Sequence, residues 1–276
     1  YNEVVAHSMA AEDVGGSQEC LNIITEGHAS IGTLLATEDG RRELESTFNV
    51  CGRNALDNPQ NQIMFAGYGV VYLPAQSNDP ACTTPLCNID KVCSYLIDTA
   101  TGDSMSRLAQ LSAAQSGGVC KSVSYQMMID FYVNPKNPSR SWLYQTCTEW
   151  GFYQTCPVGS ECPYTQGLHT LDTDYEICEK AFGISSETVN QQIPFTNSMY
   201  GGDKIQGTRI LYPNGEIDPW SALGVLSSPN DQEPVLWVKA ASHHFWTHPS
   251  LETDDVYTRE ARVAIWDQVD AWLAEK

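Results

Sequence analysis

No stretch of about 18 apolar residues occurs in the sequence, which excludes a hydrophobic membrane-spanning helix. Positive charge is scarce. Fifteen Lys and Arg against 34 Asp and Glu give a formal net charge of −19. Such a surface repels a phosphate backbone and excludes nucleic acid as a partner. There is no C-x-x-C pair and no H-E-x-x-H, so the common zinc patterns are missing and no cofactor is implied. Asn137 is followed by Pro138, which removes the one N-x-S/T candidate; Asn49-Val50-Cys51 is only a weak N-x-C site. The start, YNEVVAHSMAAEDVGG, lacks the basic-then-apolar order of a signal peptide and an initiator Met. The chain therefore reads as processed or cut from something longer.

Cysteine is plentiful but confined. Ten lie between Cys20 and Cys178, and none follows over almost a hundred residues. An even count without metal spacing predicts disulfides and hence a secreted or lysosomal compartment. The acidity suits such a lumen. Short loops suggest Cys82–Cys87 and Cys156–Cys162, but spacing does not determine the pairing.

Up to about residue 205 the periodicity is mostly helical. QECLNIITEGHASIGTLLA places Leu21, Ile24, Ile31, Leu34 and Leu35 close to one helical face. NQIMFAGYGVVYL, IDKVCSYLID, CKSVSYQMMIDFY and SWLYQTCTEWGFY also read as helices, separated by Pro- and Gly-containing loops. Residues 1–205 are thus expected to form a disulfide-stapled helical domain. Residues 206–276 change character: TRILYPNG and EPVLWVKAAS read as strands, and TREARVAIWDQVDAWLAE as a closing helix. This is the edge of an α/β sheet. Two strands with apolar runs suited to a parallel sheet are too few, so the rest is expected from another polypeptide or an N-terminal segment.

Two loops carry chemistry. PNGEIDPW, residues 213–220, follows the first strand, and Asp218 there is either a turn or N-cap residue or a functional carboxylate. KAASHHFWTHPS, residues 239–250, follows the second and holds His243, His244 and His248. His244 and His248 have H-x3-H spacing, but Pro249 argues against a helix presenting both to a metal. The alternatives are a polar loop or a general base. Asp after one strand, His after the next and then a terminal helix is the latter part of the Ser…Asp…His order of α/β-hydrolases. A nucleophile is missing: GGSQE and VGSEC lack the second glycine of G-x-S-x-G, and Ser17 reads as a helix cap.

NGEIDPW and SHHFW resemble the Asp and His motifs of the lysosomal Pro-X carboxypeptidase, dipeptidyl peptidase II and thymus-specific serine protease family. SQEC, WLYQTCTEWGFYQTC, CPY and TNSMYGG look closest to the thymus-specific branch. The resemblance implies the C-terminal part of an α/β-hydrolase, with a disulfide-rich helical cap over 1–205 and the returning core over 206–276. It implies Asp218 and His243 as triad members, with the serine in an N-terminal half upstream of Tyr1. Proline-containing peptides would be the substrates, in a pocket that Trp142, Tyr144, Trp150 and Trp220 are candidates to line. A homo-oligomer or larger assembly is expected. The family also contains secreted structural proteins, the nematode contortins, so a non-catalytic filament-forming role is the competing expectation.

Overall fold

The computed structural model describes residues 1–275. Helices are α1 (Asn2–Ala10), α2 (Gln18–Leu35), α3 (Glu38–Thr47), α4 (Pro59–Gln62), α5 (Ile89–Ser94), α6 (Ser104–Ser116), α7 (Tyr125–Val133), α8 (Ser139–Gln145), α9 (Leu171–Phe182), α10 (Ser186–Tyr200) and α11 (Val256–Ala274). Strands β1 (Tyr212–Gly215) and β2 (Val235–Val238) make the sheet seen among the described residues. No helix is long and apolar enough to cross a membrane among the described residues.

The chain forms two compact units, and their borders do not follow a single cut in the sequence. One contains residues 1–22, 73–99 and 203–276; the other contains 23–72 and 100–202. Each has its own disulfides.

In the first unit β1 and β2 pair in parallel, from Tyr212 opposite Val235 to Gly215 opposite Val238. Both strands are shorter than their apolar runs suggest. Helix α11 packs on β2, and a small core of Val238, Ala241, Phe245, Trp246 and Ala261 fills the junction. On α11, Ile265, Val269 and Trp272 are partly buried and Leu273 is exposed. Helix α1, which the periodicity does not announce, sits beside α5 and the turn after Asp218, and Ser8 Oγ donates to the Ile217 carbonyl. Cys20–Cys93 ties the first turn of α2 to α5, and Cys82–Cys87 closes a five-residue separation. Ser17 Oγ accepts from the Cys20 backbone N–H, so it is the helix cap its position suggests.

In the second unit the buried side of α2 carries Ile24, His28, Ile31 and Leu35, the three- and four-residue spacing of a helix face. Full burial of Ile24 and Ile31 contributes about 2–3 kcal/mol each. Helices α7, α8, α9 and α10 pack around Ile129, Ile177, Cys178 and Val189. Cys51–Cys120, Cys147–Cys178 and Cys156–Cys162 staple this unit.

Four expected helices are altered, three of them by a π turn: IDKVCSYLID is α5 with a π turn at Tyr95–Thr99. NQIMFAGYGVVYL begins as α4, passes into a π turn at Ile63–Gly67 and stops, because Gly69 has φ +90. SWLYQTCTEWGFY is α8 followed by a π turn at Thr146–Trp150, ended by Gly151 at φ +66. CKSVSYQMMIDFY is helical only from Tyr125; Lys121 instead bridges Val50, beside the Cys51–Cys120 disulfide. A wide turn inserts one residue into the i→i−4 ladder, and such turns favour functional sites.

Candidate active site

The ends of β1 and β2 bring two loops of the first unit together. Gly215 allows this approach. A Cβ there would stand 2.3 Å from the Ala241 carbonyl oxygen and 3.0 Å from that of Ser242, so a side chain would push the loops apart. The Ile217 N–H donates to the Ala241 carbonyl at 3.2 Å, which fixes the crossing.

Asp218 is 5% exposed and uses both oxygens. Oδ1 accepts from the Trp220 N–H at 2.8 Å and caps the short 3-10 helix Pro219–Leu223. Pro219 suits that first position because its missing N–H would have had no partner there. Oδ2 accepts from His243 Nδ1 at 2.9 Å. Asp218 thus caps the turn with one oxygen and holds the imidazole of His243 with the other.

His243 is held from behind. Its N–H donates to the Gln76 carbonyl at 3.1 Å, and the neighbouring Ser242 Oγ donates to the Asn78 carbonyl at 2.8 Å. The Gln76 side chain does a second job: Oε1 accepts from Trp220 Nε1 at 2.9 Å and from Tyr1 OH at 2.6 Å. Gln76 thus joins the Asp218 loop, the His243 loop and the N-terminus. Nothing in LPAQSNDPACTTP, which reads as a plain loop, marks this residue.

The other two histidines have separate duties. Thr247 Oγ1 donates to the His244 carbonyl at 2.8 Å, so the contact at 3.0 Å between that hydroxyl and His244 Nδ1 is a bond donated by the imidazole. His248 follows the 3-10 turn Phe245–Thr247, and Arg262 of α11 donates to the carbonyls of Trp246 and His248. Arg262 is itself held by the buried carboxylate of Asp254, so the loop after His243 is anchored to α11.

A carboxylate can only accept, so the proton of the Asp218–His243 bond sits on Nδ1. That tautomer leaves Nε2 with a lone pair, the arrangement of a general base that takes a proton from a hydroxyl. The His243 side chain remains about one-third exposed.

The aromatic candidates separate. Trp220 lies by His243, with ring centroids 5.8 Å apart. Trp142, Tyr144 and Trp150 belong to the other unit. There Trp142 and Trp150 pack at 5.5 Å, and Trp142 lines a cavity. Tyr144 turns away and sets its ring edge-on to Phe182 at 5.3 Å.

Residues 1–265 match the family model described as serine carboxypeptidase S28. The chain is similar to the thymus-specific serine proteases of Mus musculus and Homo sapiens, at 32% and 30% identity over 100% and 99% of its length. It covers 56% and 55% of those two proteins, so it spans about half their length. Over 49% of the chain it is 28% identical to the lysosomal Pro-X carboxypeptidase of Bos taurus, covering 26% of that protein. Because the match spans residues 1–265, the chain belongs to the S28 family of serine carboxypeptidases.

Proposed function

We propose that this chain is the Asp- and His-bearing part of a serine exopeptidase that cleaves peptides beside proline near a chain end. The observation that carries the reading is the 2.9 Å bond from His243 Nδ1 to the buried carboxylate of Asp218, at the carboxyl ends of two parallel strands. In this reading residues 206–276 are the returning core of an α/β-hydrolase, and the helical residues before them supply its cap. The nucleophilic serine comes from an upstream segment or a separate chain, which also completes the sheet.

His243 Nε2 takes the serine proton as the hydroxyl oxygen attacks the scissile carbonyl carbon. Asp218 stabilises the imidazolium, and the proton passes on to the leaving amine. Trp220, beside His243, offers an apolar wall for a prolyl ring. Five disulfides and the names of the lysosomal relatives support a luminal or extracellular site of action.

The test uses the full-length protein, a fluorophosphonate probe and a Pro-X peptide. Labelling of a serine, with loss of both labelling and cleavage in His243→Ala, is the expected result. A folded protein that neither labels nor cleaves, with His243→Ala indistinguishable from it, would overturn the enzymatic reading in favour of a structural role.

A further inference from the structure

The second unit contains a site that the Asp218–His243 pair does not use. A cavity of about 290 Å³ lies among the π turns at Ile63–Gly67 and Thr146–Trp150 and helices α7, α8 and α9. That volume is at the small end of ligand pockets and suits a single side chain or an equally small molecule. Its walls are dominated by rings: Tyr68, Tyr132, Trp142, Phe152 and Tyr153. The backbone is distorted where it meets the cavity. Phe152 sits at φ +58 directly after Gly151, a conformation that a bulky residue rarely adopts.

His169 and Asp174 also line this cavity, exposed by only 1% and 8%. His169 Nε2 lies 3.0 Å from Asp174 Oδ2, while His169 Nδ1 is buried with no partner. With the carboxylate as acceptor, Nε2 carries the proton and Nδ1 keeps an unshared lone pair. Tyr68 stacks against this imidazole, with centroids 4.1 Å apart. Burial, followed by the charge of Asp174, holds the hydroxyls of Tyr68, Tyr132 and Tyr153 above their ordinary range. Burial likewise raises Asp174, against the pull of its His169 bond. Among the described residues no lysine or arginine lines the cavity. The nearby cations are engaged elsewhere: Lys180 with Glu176 and the face of Tyr125, and Arg140 with the Tyr132 carbonyl and the face of Phe182.

Two features have to be matched at once: ring faces with negative quadrupoles, and a buried carboxylate with no cation of its own. A neutral donor would leave the charge unanswered, and a hydrocarbon would leave the carboxylate without any partner in the cavity. We propose that the cavity binds a protonated amine on a short apolar stem. The ammonium would donate to the Asp174 carboxylate and lie against the faces of the surrounding rings. The source is either a free small amine or the side chain of a lysine in a peptide. The inference stands apart from the peptidase reading, since it invokes neither Asp218 nor His243.

The experiment is calorimetric titration of the full-length protein with benzylamine and with benzyl alcohol, which share a stem and differ in charge. Benzylamine is expected to bind at least tenfold more tightly, and Asp174→Asn to remove that preference. Trp142→Ala covers the case in which the buried variant fails to fold. Trp142 is half exposed, and its loss should weaken benzylamine several-fold while leaving the fold intact. N-acetyl-lysine amide displacing benzylamine would identify a lysyl side chain as the source, and failure to displace it a free amine. Equal binding of amine and alcohol, or benzylamine affinity untouched by Trp142→Ala, would overturn the proposal.

Discussion

His28 makes the second unit sensitive to acid, and the size of the effect follows from its surroundings. It is fully buried on α2. Thr165 Oγ1 donates to the His28 carbonyl at 3.2 Å, so the 3.2 Å contact from His28 Nδ1 to the same oxygen is donated by the imidazole. The neutral ring is therefore the form that fits. Burial, with a smaller push from Lys121, lowers its pKa from 6.5 to about 3. The unfolded chain takes up a proton near pH 6.5 that the folded chain refuses until about pH 3. Between those limits the unfolded state binds more protons, so stability falls as pH falls. Going from about pH 7.5 to about pH 4.5, this one residue costs about 3 kcal/mol. Asp174 acts with the opposite sign: its raised pKa lets the folded state take up a proton first, which adds stability on acidification. The clean readout is a difference. His28→Asn keeps a donor near the position of Nδ1 and removes the titration, while the contribution of Asp174 is common to both proteins. Urea unfolding at the two pH values should show wild type losing about 3 kcal/mol more than the variant. Parallel losses in the two proteins would refute the assignment of His28 as a buried neutral imidazole.

Other expectations follow from the same structure. Asp218→Asn should leave the fold intact, since an amide oxygen can still cap Trp220. It should lower kcat of the full-length enzyme by roughly 10³–10⁴-fold through loss of the imidazole tautomer, read in a Pro-X cleavage assay. Gly215→Ala should cost both activity and thermal stability, because the new methyl meets backbone oxygen rather than a movable side chain; an unchanged melting temperature would contradict the close approach. Replacing Cys51 and Cys120 with Ala removes a link across 69 residues, against 5 for Cys82 and Cys87. Chain entropy predicts losses of about 4 and about 2 kcal/mol respectively, measured by denaturant unfolding. Thr37→Ala should destabilise by about 1 kcal/mol, since its side chain caps α3 by accepting from the Gly40 N–H.

Local chemistry was readable along the chain. The spacing of Ile24, Ile31 and Leu35 determines α2, because a helix buries every third or fourth residue whatever surrounds it. The short loops suggest the pairs Cys82–Cys87 and Cys156–Cys162, and the structure forms both. Asp218 and His243 could be picked out because each follows an apolar strand run, and their order along the chain is a pattern in itself.

What the sequence could not express depends on residues far apart along it. The links Cys20–Cys93, Cys51–Cys120 and Cys147–Cys178 require the packed helices to choose partners. The π turns at Ile63–Gly67 and Thr146–Trp150 arise where packing displaces the helical ladder, and no propensity announces that. Gln76 reaches Trp220 across 144 residues, and its role exists only once both loops are in place. His169 and Asp174 stand five residues apart in plain view, yet neither belongs to a motif. Only burial among tyrosines turns an ordinary pair into a charged cavity floor, because an electrostatic environment is a property of the packed interior and not of the chain order.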